Sequence, residues 1–384
     1  MSLIYRCRTA AALAAARLQC RPSYHSETTS LTIHSGSLKT SQITYEGFSG
    51  EVPFTLVLPE NYDKAREGGH PLLVYLAAPG LPDTSILEPQ PLLGMDPSVK
   101  SKSQIGEIMS RAHMADLPLA VLCVTCAGHP QMIEMSNSCG RWSDWTNGSA
   151  NWETFTIREL LPQVRSKFNV GSDEPAQMAI SGISSAGQGA LRFGLKHPDV
   201  FGVVCGLSAA ITPTVTAADL YRDHPNVPFS WANEAVVFAD ENGKLNEDDF
   251  HANNVISIAS NPASQQALLQ HGTKILIDCG GRDEFFAHAG AEMLHRVLVD
   301  NGIEHEYRLG LHGTHIGSDA FDRDMYAIDF VIKHIGRHIN GPSQMDEGMT
   351  AHLQTMADNG LDSWGIKKRS HAEAMALVSR KMVK

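Results

Sequence analysis

No stretch of this 384-residue chain reaches the run of about eighteen apolar residues that a membrane-spanning helix needs. Insertion by a helix is therefore not expected. The chain also lacks a basic surplus: 31 Lys and Arg stand against 42 Asp and Glu, a net charge of -11. Neutralising nucleic-acid phosphates requires the opposite balance, so a general nucleic-acid binder is excluded. Cysteine is sparse and odd in number. The 7 residues, Cys7, Cys20, Cys123, Cys126, Cys139, Cys205 and Cys279, form no dense disulfide framework. Cys123 and Cys126 make one CxxC, but no second pair or His pair stands at zinc-ligand spacing, so no metal site is expected. The pair falls in the mostly apolar run Leu119 to Cys126 and reads as buried thiols on a strand, which fits a reducing compartment. No internal repeat is visible.

Acidic residues are missing from the start as well, where the first is Glu27, while Arg6, Arg8, Arg17 and Arg21 are present. With the Ala-rich run Ala10 to Ala16, residues 1–29 read as a targeting leader of mitochondrial type; the alternative is an untargeted leader on a cytoplasmic protein. The remaining chain has ample material for a core, 42% hydrophobic against 19% charged residues. Leu31–Ile33, Ile43–Tyr45 and Phe54–Leu58 read as edge strands, and Leu72–Leu76, Leu119–Thr125, Gln177–Ser181, Val200–Leu207, Lys274–Asp278 and Glu304–Leu309 as further strands. Helical spacing marks Ile105–Met114, Trp152–Phe168, Ala186–His197, Ala287–Val299 and Ala320–His338. Alternating strands and helices predict an α/β domain over 30–340 with a mostly parallel, doubly wound sheet. Residues 211–265 break the alternation as a cap-like excursion, and 341–384 form a helical tail with a basic, solvated end.

The strand Gln177–Ser181 runs through Gly182-Ile183-Ser184-Ser185-Ala186 into a helix, the setting of a nucleophile elbow. Small residues are needed two before and two after the serine, because the strained turn brings strand and helix together. Gly182 fills the first position and Ala186 the second. A serine hydroxyl needs a base, and in this fold the acid and then the histidine follow it along the chain. Asp283, in the loop after the strand Lys274–Asp278, is the candidate acid, with Asp278 as its competitor. His315, after the last strand, is the candidate base, with His312 as its competitor; a lone histidine among 18 says little, whereas the ordered set says more. An oxyanion hole requires two backbone N–H donors. Ser185 supplies one, and Gly80 or Leu81 the other, since Pro79 has none. Trp142, Trp145 and Trp152 read as core packing more than as an acyl pocket.

These segments resemble the esterase family that includes esterase D (S-formylglutathione hydrolase) and the mycobacterial mycolyltransferases. The likeness spans roughly residues 45–340. Its motifs are Ser143-Asp144-Trp145, the run Ile180 to Leu191, Ile277 to Asp283, and Gly313-Thr314-His315. The resemblance implies an α/β-hydrolase fold, no cofactor, Asp283 as the acid, His315 as the base and Gly80-Leu81 at the oxyanion loop. The function expected is a serine esterase or thioesterase acting on a small-molecule ester or thioester through an acyl-enzyme on Ser184. An acyltransferase using the same intermediate and a non-catalytic binding protein of this fold are the alternatives. A charged pair that the mycolyltransferases carry beside their Gly-Leu is replaced by Pro79 and Pro82, which speaks against trehalose mycolylation. A homo-oligomer is compatible with the sequence and not specified by it.

Overall fold

The computed structural model describes residues 25–26, 29–77, 83–87, 104–126, 142–213, 233–315, 317 and 319–336. The leader up to residue 24, Gly80 and Leu81, residues 214–232 of the excursion, and the tail beyond 336 lie outside the described residues.

One sheet of eight strands carries the fold: β1 Thr32–Lys39, β2 Glu51–Leu58, β3 Leu72–Leu76, β4 Ala120–Val124, β5 Met178–Ile183, β6 Val203–Leu207, β7 Lys274–Gly280 and β8 Glu306–Gly310. The spatial order is β1-β2-β4-β3-β5-β6-β7-β8. β2 runs antiparallel to both β1 and β4, and every other pairing is parallel. The helices are α1 Gln104–Met114, α2 over residues 152–168, α3 Ser185–Lys196, α4 Asn233–Val237, α5 Glu247–Asn253, α6 Val255–Ser260, α7 Pro262–His271, α8 Ala287–Asp300 and α9 Ala320–His334. The chain leaves β3 outward to β4 and returns through α2 to β5 on the other side of β3. The carboxyl ends of β3 and β5 thus flank the point where the winding reverses, which is where ligands of open α/β sheets bind.

Both faces of the sheet are buried, which explains the near-continuous apolar runs of the central strands. Leu72, Val74 and Leu76 of β3 join the core on one face, and Leu73 and Tyr75 join the core on the other. Trp142, Trp145 and Trp152 lie in the first core, at 0%, 2% and 0% exposure, so packing and not pocket lining is their role. Of the excursion, residues 233–265 fold into short helices. Phe238, Phe250, Val255, Ile256 and Ile258 of this segment enter the same core, where α6 packs against α3 and α8. Asn246, Asn254 and Asn261 start α5, α6 and α7, each accepting a first-turn N–H with its side chain.

Several boundaries differ from the sequence reading. β1 extends to Lys39, because the whole segment pairs with β2, from Thr32 opposite Leu58 to Lys39 opposite Glu51. Its polar sequence reflects an edge position with side chains largely in solvent. Ile43–Tyr45 is not a strand: Ile43 makes an isolated bridge to Ala150, and Thr44 N–H donates to Ser149 O at 2.8 Å. α9 ends at His334, short of His338, before Gly336 turns at φ 72°. α2 contains a wider π segment, Phe155–Leu160, between its two α pieces. Asn151 precedes α2, yet its side chain makes no capping bond. Glu153 in the first turn is buried, ion-pairs with Lys196 at 2.8 Å and lies within hydrogen-bond distance of His197 Nε2, also at 2.8 Å.

Candidate active site

Ser184 stands between the end of β5 and the start of α3 with φ 61° and ψ -125°. A non-glycine residue pays a strain of about 1–3 kcal/mol in such a conformation and keeps it only when its surroundings enforce it. They do. Ser184 N–H donates to Leu207 O at 2.9 Å, and Ser184 O accepts from the N–H groups of Gln188 and Ala210 at 3.0 Å. The small neighbours have a steric cause. A Cβ on Gly182 would meet the Ala186 carbonyl carbon and oxygen at 2.6 Å, and one on Gly187 would meet the carbonyl oxygens of Gly182 and Leu207 at 2.9 Å. The alanine at 186 is accommodated fully buried.

The turn aims the serine hydroxyl at the loop after β8. Ser184 Oγ lies 2.9 Å from His315 Nε2. His315 Nδ1 lies 2.7 Å from Asp283 Oδ2. The other Asp283 oxygen, Oδ1, accepts the N–H groups of Phe285 at 2.9 Å and Ala287 at 3.4 Å. Burial acts to raise the Asp283 carboxyl, but His315 and these N–H donors outweigh it and hold the group below the usual carboxylate range. Asp283 is 2% exposed and His315 4%. Phe285 packs edge-on against the imidazole, with centroids 4.6 Å apart. The site is therefore a hydroxyl, an imidazole and a largely dehydrated carboxylate in series, an arrangement able to deprotonate an alcohol as it attacks a carbonyl.

The competitors stand elsewhere. Asp278 is on β7, buried, and ion-paired with Arg323 at 3.3 Å and Arg308 at 3.2 Å. Its carboxyl is raised by burial, which those two guanidiniums oppose. His312 follows β8 in the turn that opens the His315 loop; the imidazole at Ser184 is that of His315. Ser185 is the first residue of α3, so its N–H is among the helix-terminal donors without an intrahelical acceptor. The residues predicted with it, Gly80 and Leu81, belong to the loop after β3 that lies outside the described residues.

Three residues at the site leave no signal of their own in the sequence analysis. Glu284 Oε2 accepts the His315 N–H at 2.9 Å. Arg323 donates to the carbonyls of Thr314 and His315, and Ser208 Oγ donates to His315 O at 3.2 Å. Adjacency to Asp283 is the one signal that could have drawn attention to Glu284. Arg323 and Ser208 meet the histidine only through the topology.

No curated protein matches the chain. Among solved structures, a ferulic acid esterase is similar with TM-score 0.53 and 18% identity, over 80% of this chain and 99% of that one. An S-formylglutathione hydrolase from Agrobacterium tumefaciens is similar with TM-score 0.53 and 15% identity, over 80% and 98%. The Staphylococcus aureus fluorophosphonate-binding serine hydrolase FphF follows with TM-score 0.52 and 17% identity, over 79% and 98%. At such identities these likenesses concern the fold, which is that of the α/β-hydrolases. The "Putative esterase" family profile matches residues 46–315, well over half of the chain. By that match the chain belongs to this esterase family, as an esterase-type hydrolase.

Proposed function

We propose that the protein hydrolyses a carboxylic ester or thioester through an acyl-enzyme on Ser184, with His315 as general base and acid and Asp283 as the residue that orients it. The observation that carries this reading is the 2.9 Å approach of His315 Nε2 to the hydroxyl of a serine held at φ 61°. Asp283 Oδ2 facing Nδ1 selects the tautomer with a proton on Nδ1, which leaves the Nε2 lone pair for the Ser184 proton. As Oγ attacks the carbonyl carbon, His315 takes that proton and the carbonyl oxygen becomes negative. The Ser185 N–H, with Gly80 or Leu81, stabilises that oxygen. Collapse breaks the bond to the leaving alcohol or thiol, which receives the proton from His315. Water, activated by the same imidazole, then attacks the acyl carbon and releases the acid and free Ser184.

The neighbours named for ferulic acid esters and for S-formylglutathione use substrates of these two classes, and both fit this chemistry. Turnover of a p-nitrophenyl ester, with a fluorophosphonate probe mapped to its labelled residue, tests the reading. Label on Ser184 and turnover abolished by Ser184→Ala are expected. Turnover that survives this substitution, or label on another residue, overturns it.

A further inference from the structure

His315 lies between β8 and α9, outside both, and Leu311, four residues before it, is 72% exposed. Such a segment does not place an imidazole within hydrogen-bond reach of Ser184 by itself. Arg323, in the first turn of α9, is only 6% exposed, and its guanidinium lies directly behind this main chain. Its Nη2 donates to Thr314 O at 3.0 Å and His315 O at 2.9 Å. Its Nη1 reaches the opposite way, to Ser208 Oγ at 3.0 Å and Asp278 Oδ1 at 3.3 Å. Asp319 Oδ2 lies 3.2 Å from Nε. Ser208 follows β6, one residue past Leu207, whose carbonyl holds the Ser184 N–H, and its own N–H donates to Asp278 O at 2.7 Å. One planar group thus spans the strand ends that carry the nucleophile turn and the main chain that carries the base.

We propose that Arg323, anchored by Asp278, is a positioning residue that sets the separation of His315 from Ser184. The inference rests on the triad reading of the preceding subsection and adds the device that keeps the triad in register. Glu284 completes the hold on the other side by accepting the His315 N–H, so both main-chain polar groups of the histidine are fixed by side chains. The geometry requires arginine. Its two terminal nitrogens point to two separate structures at once, whereas a lysine ammonium is a single centre that can satisfy one of them. Asp278 keeps the buried charge compensated, which a guanidinium at this depth needs.

The test compares Arg323→Lys and Ser208→Ala with the wild type, by p-nitrophenyl ester kinetics, fluorophosphonate labelling rate and thermal melting. Arg323→Lys keeps the charge opposite Asp278 and loses the fork. It should lower kcat and the labelling rate in parallel by about a hundred-fold, the order that a 1 Å displacement of a reacting group costs, with KM nearly unchanged. Ser208→Ala removes both the acceptor of Arg323 Nη1 and the hydroxyl's own bond to His315 O; it should lower kcat by about ten-fold or more while melting only a few degrees lower. A purely structural Arg323 would lower the melting temperature and leave kcat of the folded protein intact; that result overturns the proposal. If Arg323→Lys does not fold, Ser208→Ala decides alone, and wild-type kcat in it is likewise fatal. A wild type that the probe does not label at Ser184 refutes the triad chemistry itself, whereas a labelled wild type with unchanged variants refutes only the role of Arg323.

Discussion

Asp278, near the end of β7, and Asp283, in the loop after it, are five residues apart, yet only Asp283 reaches His315 Nδ1, at 2.7 Å, while Asp278 is committed to Arg323 and Arg308. Asp283→Asn tests that division. Oδ1 can keep accepting from Phe285 and Ala287, but an amide NH2 at the Oδ2 position would donate toward Nδ1. The proton would then sit on Nε2, where it blocks acceptance from Ser184. A fall in kcat of about ten-thousand-fold, with folding intact by circular dichroism, is the expected outcome. Asp278→Asn should cost far less activity, and a loss as large as that of Asp283→Asn would reassign the acid.

The nucleophile turn makes a steric prediction. Gly182→Ala places a methyl 2.6 Å from the carbonyl atoms of Ala186, which are backbone and cannot swing away. Overpacking of this kind costs about 1–3 kcal/mol. The variant should melt lower and lose esterase activity together, since the strand and helix that fix Ser184 are forced apart. Ala186→Gly creates no clash and should keep activity near the wild type, with a loss of about 0.5–1 kcal/mol from helix propensity. Normal melting and activity of Gly182→Ala would show that the turn tolerates what the geometry forbids.

Much of this is legible in the sequence. The apolar runs of β3 to β7 are strong signals because both faces of a parallel sheet are buried, and the order Ser184, Asp283, His315 follows the chain path across the sheet. The weak points have physical causes too. β1 is an edge strand whose polar residues carry no alternation to detect, so most of its length was missed. Asn151 stands where an N-cap would, but its side chain turns to Gln42 instead. Glu153 stands in a first turn where the helix dipole alone would favour an acid, whereas its contacts with Lys196 and His197 depend on α3 arriving from elsewhere. Arg323 and Ser208 are 115 residues apart and belong to one network only because β6, β7 and α9 are neighbours in space. No local pattern encodes that.

Water, rather than an acceptor alcohol, is expected to resolve the acyl-enzyme. Pro79 and Pro82 flank Gly80-Leu81 in the sequence and bring no side-chain hydrogen bonds to hold a polyhydroxyl acceptor. An alcohol competes with water only when oriented contacts raise its effective concentration. With an activated ester and a panel of alcohols and sugars at millimolar concentration, free acid should be the main product. Predominance of new ester would make the protein a transferase.

The last prediction concerns Asp324, a fully buried carboxyl on α9 whose partners are the Gln104 amide at 2.8 Å and the Tyr75 hydroxyl at 3.4 Å. Among the described residues no cation pairs with it. Burial raises it to about 7, against the two hydrogen bonds that favour the charged form. In the unfolded chain the same group titrates near 4, so between these values the folded state binds the extra proton. Its contribution to stability is therefore greatest in acid and declines as pH rises from about 4 to about 7, the reverse of an ion-paired carboxylate. Asp324→Asn removes the titration while leaving an oxygen for Gln104 and an amide for the Tyr75 oxygen. Relative to wild type, the variant should gain on the order of 2 kcal/mol between pH 5 and pH 8, seen as a melting difference that widens by a few degrees. Melting curves of both proteins at the two pH values decide it: a difference that stays constant, or that narrows toward pH 8, would mean that Asp324 is already ionised in the folded protein at pH 5.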